Sequence, residues 1–319
     1  MNATRDQRIE QALFRGRSLN LDNPVYCDAL RAITKSLVQT DIDSEDLTAR
    51  ALEIEERFAS SCVIARESGV AAGLEEFAFL MRAHEVEVAF ERHDGDDIKL
   101  GDILLRAEGD QSKLLSLERV GLNLLQRMSG IATASRCMQE RARRRSQGTR
   151  IVGTRKTPWG LLDKRALHLG NGGTHRLGLG DAVVIKNNHL ALLAAREEDA
   201  VPVAIQKAWK VREESAFIEV EVRGEAAARV GASTFRRLQE EASEQYPCLL
   251  MLDNMAPGEI GTILDMLHRE DLWHHTLIEA SGGISDANVE EYAARGVDAI
   301  SVGALTHSAR ALDICQRIS

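Results

Sequence analysis

No stretch of the 319-residue chain approaches 18 uncharged apolar residues, so a membrane-spanning helix is not expected. The opening run MNATRDQRIEQALFRGR scatters charges where an export signal would carry an apolar core, and nothing in it addresses a membrane. Cysteine is sparse: Cys27, Cys62, Cys137, Cys248 and Cys315 are odd in number, dispersed and never in C-x-x-C spacing, which disfavours a disulfide framework and a zinc ribbon. A reduced, cytoplasmic setting is expected. Positive charge is in deficit: 40 Lys plus Arg stand against 49 Asp plus Glu, a net charge of −9, so the chain repels a polyanion overall. The run Arg141, Arg143, Arg144 and Arg145 has Glu140 beside it and no interleaved aromatic, and reads as cations gathered at a helix C-terminus. Neither nucleic acid nor membrane is an expected partner.

What is present is ordinary for a globular protein: 44% apolar and 28% charged residues, and a length suggesting two domains at roughly 150 residues each. From Ile151 onward, runs rich in Val, Ile and Leu alternate with helical patterns, the signature of parallel strands joined by crossover helices. Strands are expected at Ile151–Thr157, Ala182–Lys186, Phe217–Val222, Leu249–Leu252, Leu277–Ala280 and Ala299–Val302. Helices are expected over Val203–Arg212, Thr234–Ala242, Gly258–Arg269 and Asp286–Arg295, the last with Ser285 and Asp286 as cap candidates. Six such units fit either an incomplete (β/α)8 barrel or a doubly wound sheet. The first 110 residues read as α+β, with helices at Thr4–Arg17 and Ser44–Ala59 and strands at Ser61–Ala65 and Val86–Phe90. The apolar, strongly helical stretch Ser112–Arg145 bridges the two parts.

Polar residues collect at the C-terminal ends of the apolar strands: Thr154 to Thr157, Lys186 to His189, Glu219 with Glu221, Asp253 with Asn254, Ser281 to Gly283, and Gly303 with Thr306, His307 and Ser308. In a parallel barrel that rim carries the catalytic groups, which favours the barrel over the open sheet. Arg155, Lys156, His175, Arg176 and Lys186 would gather up to five positive charges, an arrangement that calls for an anionic ligand. Glu221 and Asp253 oppose them, as where Mg2+ holds a pyrophosphate; a salt-bridge network among barrel-end residues is the alternative. Ser281-Gly282-Gly283 and Gly303 end the last two strands, the recurrent phosphate-binding position of such barrels. His168, His268, His274 and His275 lack ligand spacing. Trp159 either covers the mouth or packs. An aldolase using Lys156 or Lys186 as a Schiff base would not call for the acidic pair.

The segments E-R-V-G-L-N-L-L-Q-R-M-S-G-I-A-T (118–133), T-R-K-T (154–157), H-R (175–176), I-K-N-N-H (185–189), E-V-E-V (219–222), L-D-N (252–254), E-A-S-G-G-I (279–284) and G-V-D-A-I-S-V-G-A-L-T-H-S (296–308) stand in this order. Together they resemble the quinolinate phosphoribosyltransferase family from about Glu118 to Ile314. The resemblance implies an N-terminal α+β sandwich domain, here 1–130 with its linking helix, followed by an incomplete, open parallel α/β barrel, here 131–319. It implies a homodimer with shared active sites, and Mg2+. It also implies a reaction in which quinolinate and 5-phosphoribosyl 1-pyrophosphate give nicotinate mononucleotide, pyrophosphate and CO2.

By the same resemblance, Arg155, His175, Arg176 and Lys186 grip the two quinolinate carboxylates, with Arg119 supplied by the partner chain. Lys156 faces the phosphates, and Glu221 and Asp253 stand near the ribose and Mg2+. Ser281, Gly282, Gly283, Gly303 and His307 hold phosphate. The chain departs from the family pattern at Pro158-Trp159-Gly160, at Asn171 within a run of glycines, and at Asn187, where an acid is common.

Overall fold

The computed structural model describes residues 4–42, 45–54 and 57–318. Before the long helix Glu118–Arg145 lie β1 (Phe58–Ala65), β2 (Gly69–Val70), β3 (Glu87–Phe90), β4 (Asp97–Ile98) and β5 (Ile103–Asp110). After it come β6 (Arg150–Val152), β7 (Val183–Ile185), β8 (Ile218–Val222), β9 (Cys248–Asp253), β10 (Leu277–Ser281), β11 (Ala299–Ser301) and β12 (Ile314–Ile318). The chain divides into two compact units. One comprises residues 1–15, 137–155 and 172–304, the other residues 16–136, 156–171 and 305–319.

The first unit holds a six-stranded parallel sheet in the order β6-β11-β10-β9-β8-β7. All six expected strands are present and the sheet is open between β7 and β6, as an incomplete barrel requires. The first strand is shorter than the sequence suggests: it stops at Val152, where Gly153 donates its N–H to Gly173 O at 2.8 Å. The helix expected from Asp286 begins at Val289, because Ser285 N–H closes a turn on Asn288 Oδ1 at 2.8 Å.

Period-two alternation explains what fills the inside of this sheet. Phe217, Leu249, Leu277, Ala299, Val152 and Val184 share one apolar cluster with Ile9, Ala12 and Leu13 of the N-terminal helix Arg5–Leu13. That helix starts from a capping box, Thr4 with Gln7, and plugs the N-terminal end of the strands. Burying Ile9 and Leu13 there contributes about 2 kcal/mol each. Arg5 fastens the plug, with Nε 2.6 Å from Asp298 Oδ1 and its guanidinium 3.6 Å from the centre of the Trp273 ring. Two residues further along each strand the inward series turns mostly polar, with Glu219, Glu279, Ser301 and Lys186 beside the apolar Met251. Two more bring Glu221, Asp253, Ser281 and Gly303. The interior is therefore apolar at its base and polar at its C-terminal end.

The second unit carries an antiparallel sheet in the order β12-β1-β5-β3 and the small pair β2-β4. Several expectations change here. Helix is confined to Leu47–Ala51 within the expected Ser44–Ala59, of which Ser44, Glu55 and Glu56 lie outside the described residues, and Phe58 and Ala59 already belong to β1. β5 and β12 were not expected as strands, nor were Pro24–Ile42 and Leu74–Arg82 expected as helices. The stretch Ser112–Arg145 is helical as expected, broken at Leu117 into Gln111–Ser116 and Glu118–Arg145. Gly130 is required in the longer helix, since a Cβ there would stand 1.9 Å from Arg310 O.

Candidate active site

The barrel unit contains Arg155, His175, Arg176, Lys186, Glu221, Asp253, Ser281, Gly282, Gly283 and Gly303. Arg119, Lys156 and His307 belong to the other unit.

Arg155 is exposed three residues beyond β6, whereas Arg176 is buried and donates from Nη1 to Ala182 O at 3.1 Å. Burial lowers the pKa of Arg176, and the like charge of Arg155 lowers it further. The two guanidiniums thus repel each other at one place. Lys186 follows β7 and its Nζ lies 3.0 Å from Glu221 Oε2, on the neighbouring strand β8. Asn187 donates its amide to Glu221 Oε1 at 2.5 Å. An aspartate at 187 would instead set a second negative charge against Glu221, so this departure suits the local field.

Arg223, which the sequence reading did not single out, stands between the two acids, 3.9 Å from Glu221 and 3.5 Å from Asp253. Its signal was its place immediately after E-V-E-V.

The turns after β9 and β10 interlock. Asn254 takes φ +55° and donates its N–H to Ser281 O at 2.9 Å, while its side-chain amide bonds Asp253 Oδ2 at 2.8 Å. Gly282, at φ +94°, lies so close to Asn254 that a Cβ would meet its Oδ1 at 2.3 Å. Only glycine fits both constraints. Ser281 Oγ accepts from Ser301 Oγ at 2.9 Å, tying the ends of β10 and β11 together. At Asn171 the departure from glycine costs little, because φ is +62° and asparagine tolerates the left-handed region better than other side chains do.

His175 stands among acids. Its ring turns inward, with Nε2 3.1 Å from Glu219 Oε2 and 3.3 Å from Glu279 Oε2, both carboxylates fully buried. Nδ1 accepts the Arg176 N–H at 2.8 Å. Burial alone would lower the imidazole pKa, but Glu279 and Glu219 outweigh it and raise it to about 9. Nδ1 accepts from Arg176, so the hydrogen that the ring offers to the two carboxylates lies on Nε2. Burial, followed by the charge of Glu279, shifts the pKa of Glu219 upward. Three possible metal-ligand atoms here lie within 4.8 Å of one another. A hydrogen on Nε2 leaves no lone pair for an ion, and the trio is a hydrogen-bonded buttress beneath Arg176.

In the second unit Arg119 is exposed on the first turn of Glu118–Arg145, and Lys156 is exposed in the loop before Leu161–Leu169. The Lys156 carbonyl accepts from Thr306 Oγ1 at 2.8 Å, one residue before the exposed His307. Trp159 packs, its ring centre 5.2 Å from the Arg127 guanidinium.

Residues 46–129 match the N-terminal domain, and residues 131–316 the C-terminal domain, of quinolinate phosphoribosyl transferase. A protein of Methanothermobacter thermautotrophicus named probable nicotinate-nucleotide pyrophosphorylase (carboxylating) is 37% identical over 291 residues, covering 90% of this chain and 98% of its own. A Nicotiana tabacum protein named quinolinate phosphoribosyltransferase (decarboxylating) 1b is 34% identical over 307 residues, covering 93% of this chain and 83% of its own. The crystal structure of NadC from Streptococcus pyogenes superposes with a TM-score of 0.77 at 30% identity, covering 91% of this chain and 96% of that one. With both domains matched in order and this degree of identity across nearly the whole length, the chain belongs to the quinolinate phosphoribosyl transferase family.

Proposed function

We propose that the protein joins quinolinate to 5-phosphoribosyl 1-pyrophosphate, giving nicotinate mononucleotide, pyrophosphate and CO2, as a step of NAD biosynthesis. The observation that carries this reading is the placement in one unit of Arg155, Arg176 and Lys186, like charges that repel one another, with Lys186 3.0 Å from Glu221 and Asp253 on the adjacent strand. A dianionic ligand relieves that repulsion, and a sugar centre turning cationic suits the acids. The words carboxylating and decarboxylating in the relatives' names describe the two directions of one reaction.

In this reading Arg155, Arg176 and Lys186 take the two ring carboxylates, and His175 fixes the backbone of Arg176 from below. Glu221 and Asp253 stabilise positive charge on the ribose as the C1–oxygen bond to pyrophosphate breaks and the pyridine nitrogen bonds to C1. Lys156 and the turns at Ser281–Gly283, Gly303 and His307 take the phosphates. The cationic ring then accepts the electron pair of the breaking C2–carboxylate bond, CO2 leaves, and C2 takes a proton. No general base is needed for the substitution.

The acids also suit Mg2+, which takes one or two carboxylates and completes its shell with phosphate oxygens and water. Glu221 has both oxygens engaged by Lys186 and Asn187, so Asp253 is the more available ligand. When bound, the ion neutralises charge on the pyrophosphate.

The working unit in this reading is a homodimer in which Arg119 serves the partner subunit's site, in the cytoplasm, where the five free cysteines would stay reduced. No helix among the described residues is long and apolar enough to cross a membrane. Purified protein given quinolinate, 5-phosphoribosyl 1-pyrophosphate and Mg2+ should release nicotinate mononucleotide and CO2 in equal amounts. Absence of both products from folded protein would sink the proposal.

A further inference from the structure

We infer that Arg127 and Asp163, which no motif assigns to the reaction, form a latch that positions Lys156 for the pyrophosphate, acting through Thr306 and the backbone of Trp159. The inference rests on the phosphate role given to Lys156 above. Arg127, Lys156, Trp159, Asp163 and Thr306 all lie in one compact unit.

Asp163 is fully buried on the helix Leu161–Leu169. Arg127 grips it with both ends of its fork, Nε to Oδ1 at 2.8 Å and Nη2 to Oδ2 at 2.9 Å. Such a bidentate pair fixes orientation as well as distance. Each partner then reaches one loop. Asp163 Oδ2 accepts the Trp159 N–H at 3.1 Å, holding the loop that follows Lys156. Arg127 Nη2 donates to Thr306 O at 3.0 Å, holding the segment that follows Gly303. Thr306 is fully buried, and its hydroxyl closes the circuit by donating to the Lys156 carbonyl at 2.8 Å. The Trp159 ring over the Arg127 guanidinium adds a cation–π contact along the same line.

The circuit gives a reason for the unusual P-W-G sequence after T-R-K-T. A loop of altered sequence keeps its lysine in place when its backbone is tied on both sides, and Trp159 supplies one tie through its N–H and another through its ring. Arg127 and Asp163 are positioning residues: they act on the chain that carries Lys156. Loss of a tie should loosen the lysine by a fraction of an ångström or more, a scale on which rates of bond-making change tenfold to a hundredfold.

The gentlest break is Thr306→Val, which keeps shape and removes the hydroxyl. We expect kcat/KM for 5-phosphoribosyl 1-pyrophosphate to fall at least tenfold, quinolinate affinity by calorimetry to stay within twofold, and Thr306→Ser to restore the loss. Wild-type kcat/KM in Thr306→Val, an equal loss of quinolinate affinity, or failure of Thr306→Ser to rescue would each overturn the latch. Should Thr306→Val not fold, Arg127→Lys provides the same reading, since an ammonium keeps the charge but cannot grip both Asp163 oxygens and the Thr306 carbonyl. If the wild type makes no nicotinate mononucleotide, the proposed function fails separately, and titration with pyrophosphate and Mg2+ reads the latch. Binding at least tenfold weaker in Thr306→Val supports it, and equal binding overturns it.

Discussion

Lys186 Nζ sits 3.0 Å from Glu221 Oε2, so the cation assigned to a substrate carboxylate is bonded, in the free protein, to the acid assigned to the ribose. The lysine is about half exposed while the glutamate is almost buried. Asn187 and Arg223 also approach Glu221, which therefore keeps donors if Lys186 turns to a ligand. The pair is a charge that can be exchanged.

Replacing either end should separate two kinds of loss. Lys186→Ala removes a carboxylate partner and should weaken quinolinate binding about tenfold or more, a charge-assisted bond being worth roughly 1.5–3 kcal/mol. Glu221→Gln and Asp253→Asn should leave quinolinate affinity nearly unchanged, lower kcat by about a hundredfold, and weaken Mg2+-dependent binding of 5-phosphoribosyl 1-pyrophosphate. Calorimetry and steady-state rates on the same preparations decide. Unchanged quinolinate affinity in Lys186→Ala would remove that residue from the carboxylate site.

Selectivity should follow from the same charges. Nicotinate carries one carboxylate, leaving part of the Arg155, Arg176 and Lys186 group unpaired and partly desolvated, at a cost of several kcal/mol. Competition assays should therefore show quinolinate preferred by a factor of a hundred or more. Comparable turnover of nicotinate would mean that the cations do not act as a dicarboxylate pair.

The antiparallel unit contains a second buried charge cluster with a consequence for stability. Glu76 is fully buried, accepting from Tyr26 Oη at 2.6 Å and lying 2.7 Å from Arg165 Nε. Burial, followed by the charge of Asp94, raises its pKa to about 7 from an ordinary 4.5. Between those values the folded protein keeps a proton that the unfolded chain has lost. Stability should thus decline as pH rises through this window, by up to about 3 kcal/mol, and level off above it. Asp94 is raised as well, by burial, and adds to the slope. Glu76→Gln should flatten the decline measured by denaturant unfolding between pH 5 and 7.5. Parallel profiles for wild type and variant would place the raised proton affinity elsewhere.

The parts of the fold legible in the sequence are those whose burial is simplest. β6 to β11 are largely buried and rich in Val, Ile and Leu, with Glu219, Glu221 and Glu279 as exceptions, so all six were found. β5 pairs on both sides yet carries Arg106, Glu108 and Asp110 outward, and such a half-exposed strand resembles a loop in composition. β12 is a short segment, I-C-Q-R-I, that becomes a strand only through its long-range pairing with β1. The rim residues were visible because charge after an apolar strand is conspicuous. The inward turn of His175 was not: it depends on φ +54° at that residue and on Glu279, more than a hundred positions away. Arg127 and Asp163 were hidden for the same reason, since an arginine and an aspartate on two helices declare their pairing only in three dimensions.

The last prediction concerns Arg119, exposed on the first turn of the long helix and assigned to the partner subunit's site. If each site needs Lys186 from one chain and Arg119 from the other, Arg119→Ala and Lys186→Ala should each be nearly inactive alone. Unfolded and refolded together in equal amounts, the two variants should assort at random, so that about half of the dimers are mixed. A mixed dimer holds one site with both lesions and one with neither. Roughly a quarter of all sites should then regain wild-type activity, as two-fold symmetry with shared sites demands. If Arg119 acted within its own chain, every site would keep one lesion and mixing would restore nothing. A remixed sample as inactive as its parents, with subunit exchange confirmed by mass tagging, would refute the shared site and assign Arg119 to its own subunit.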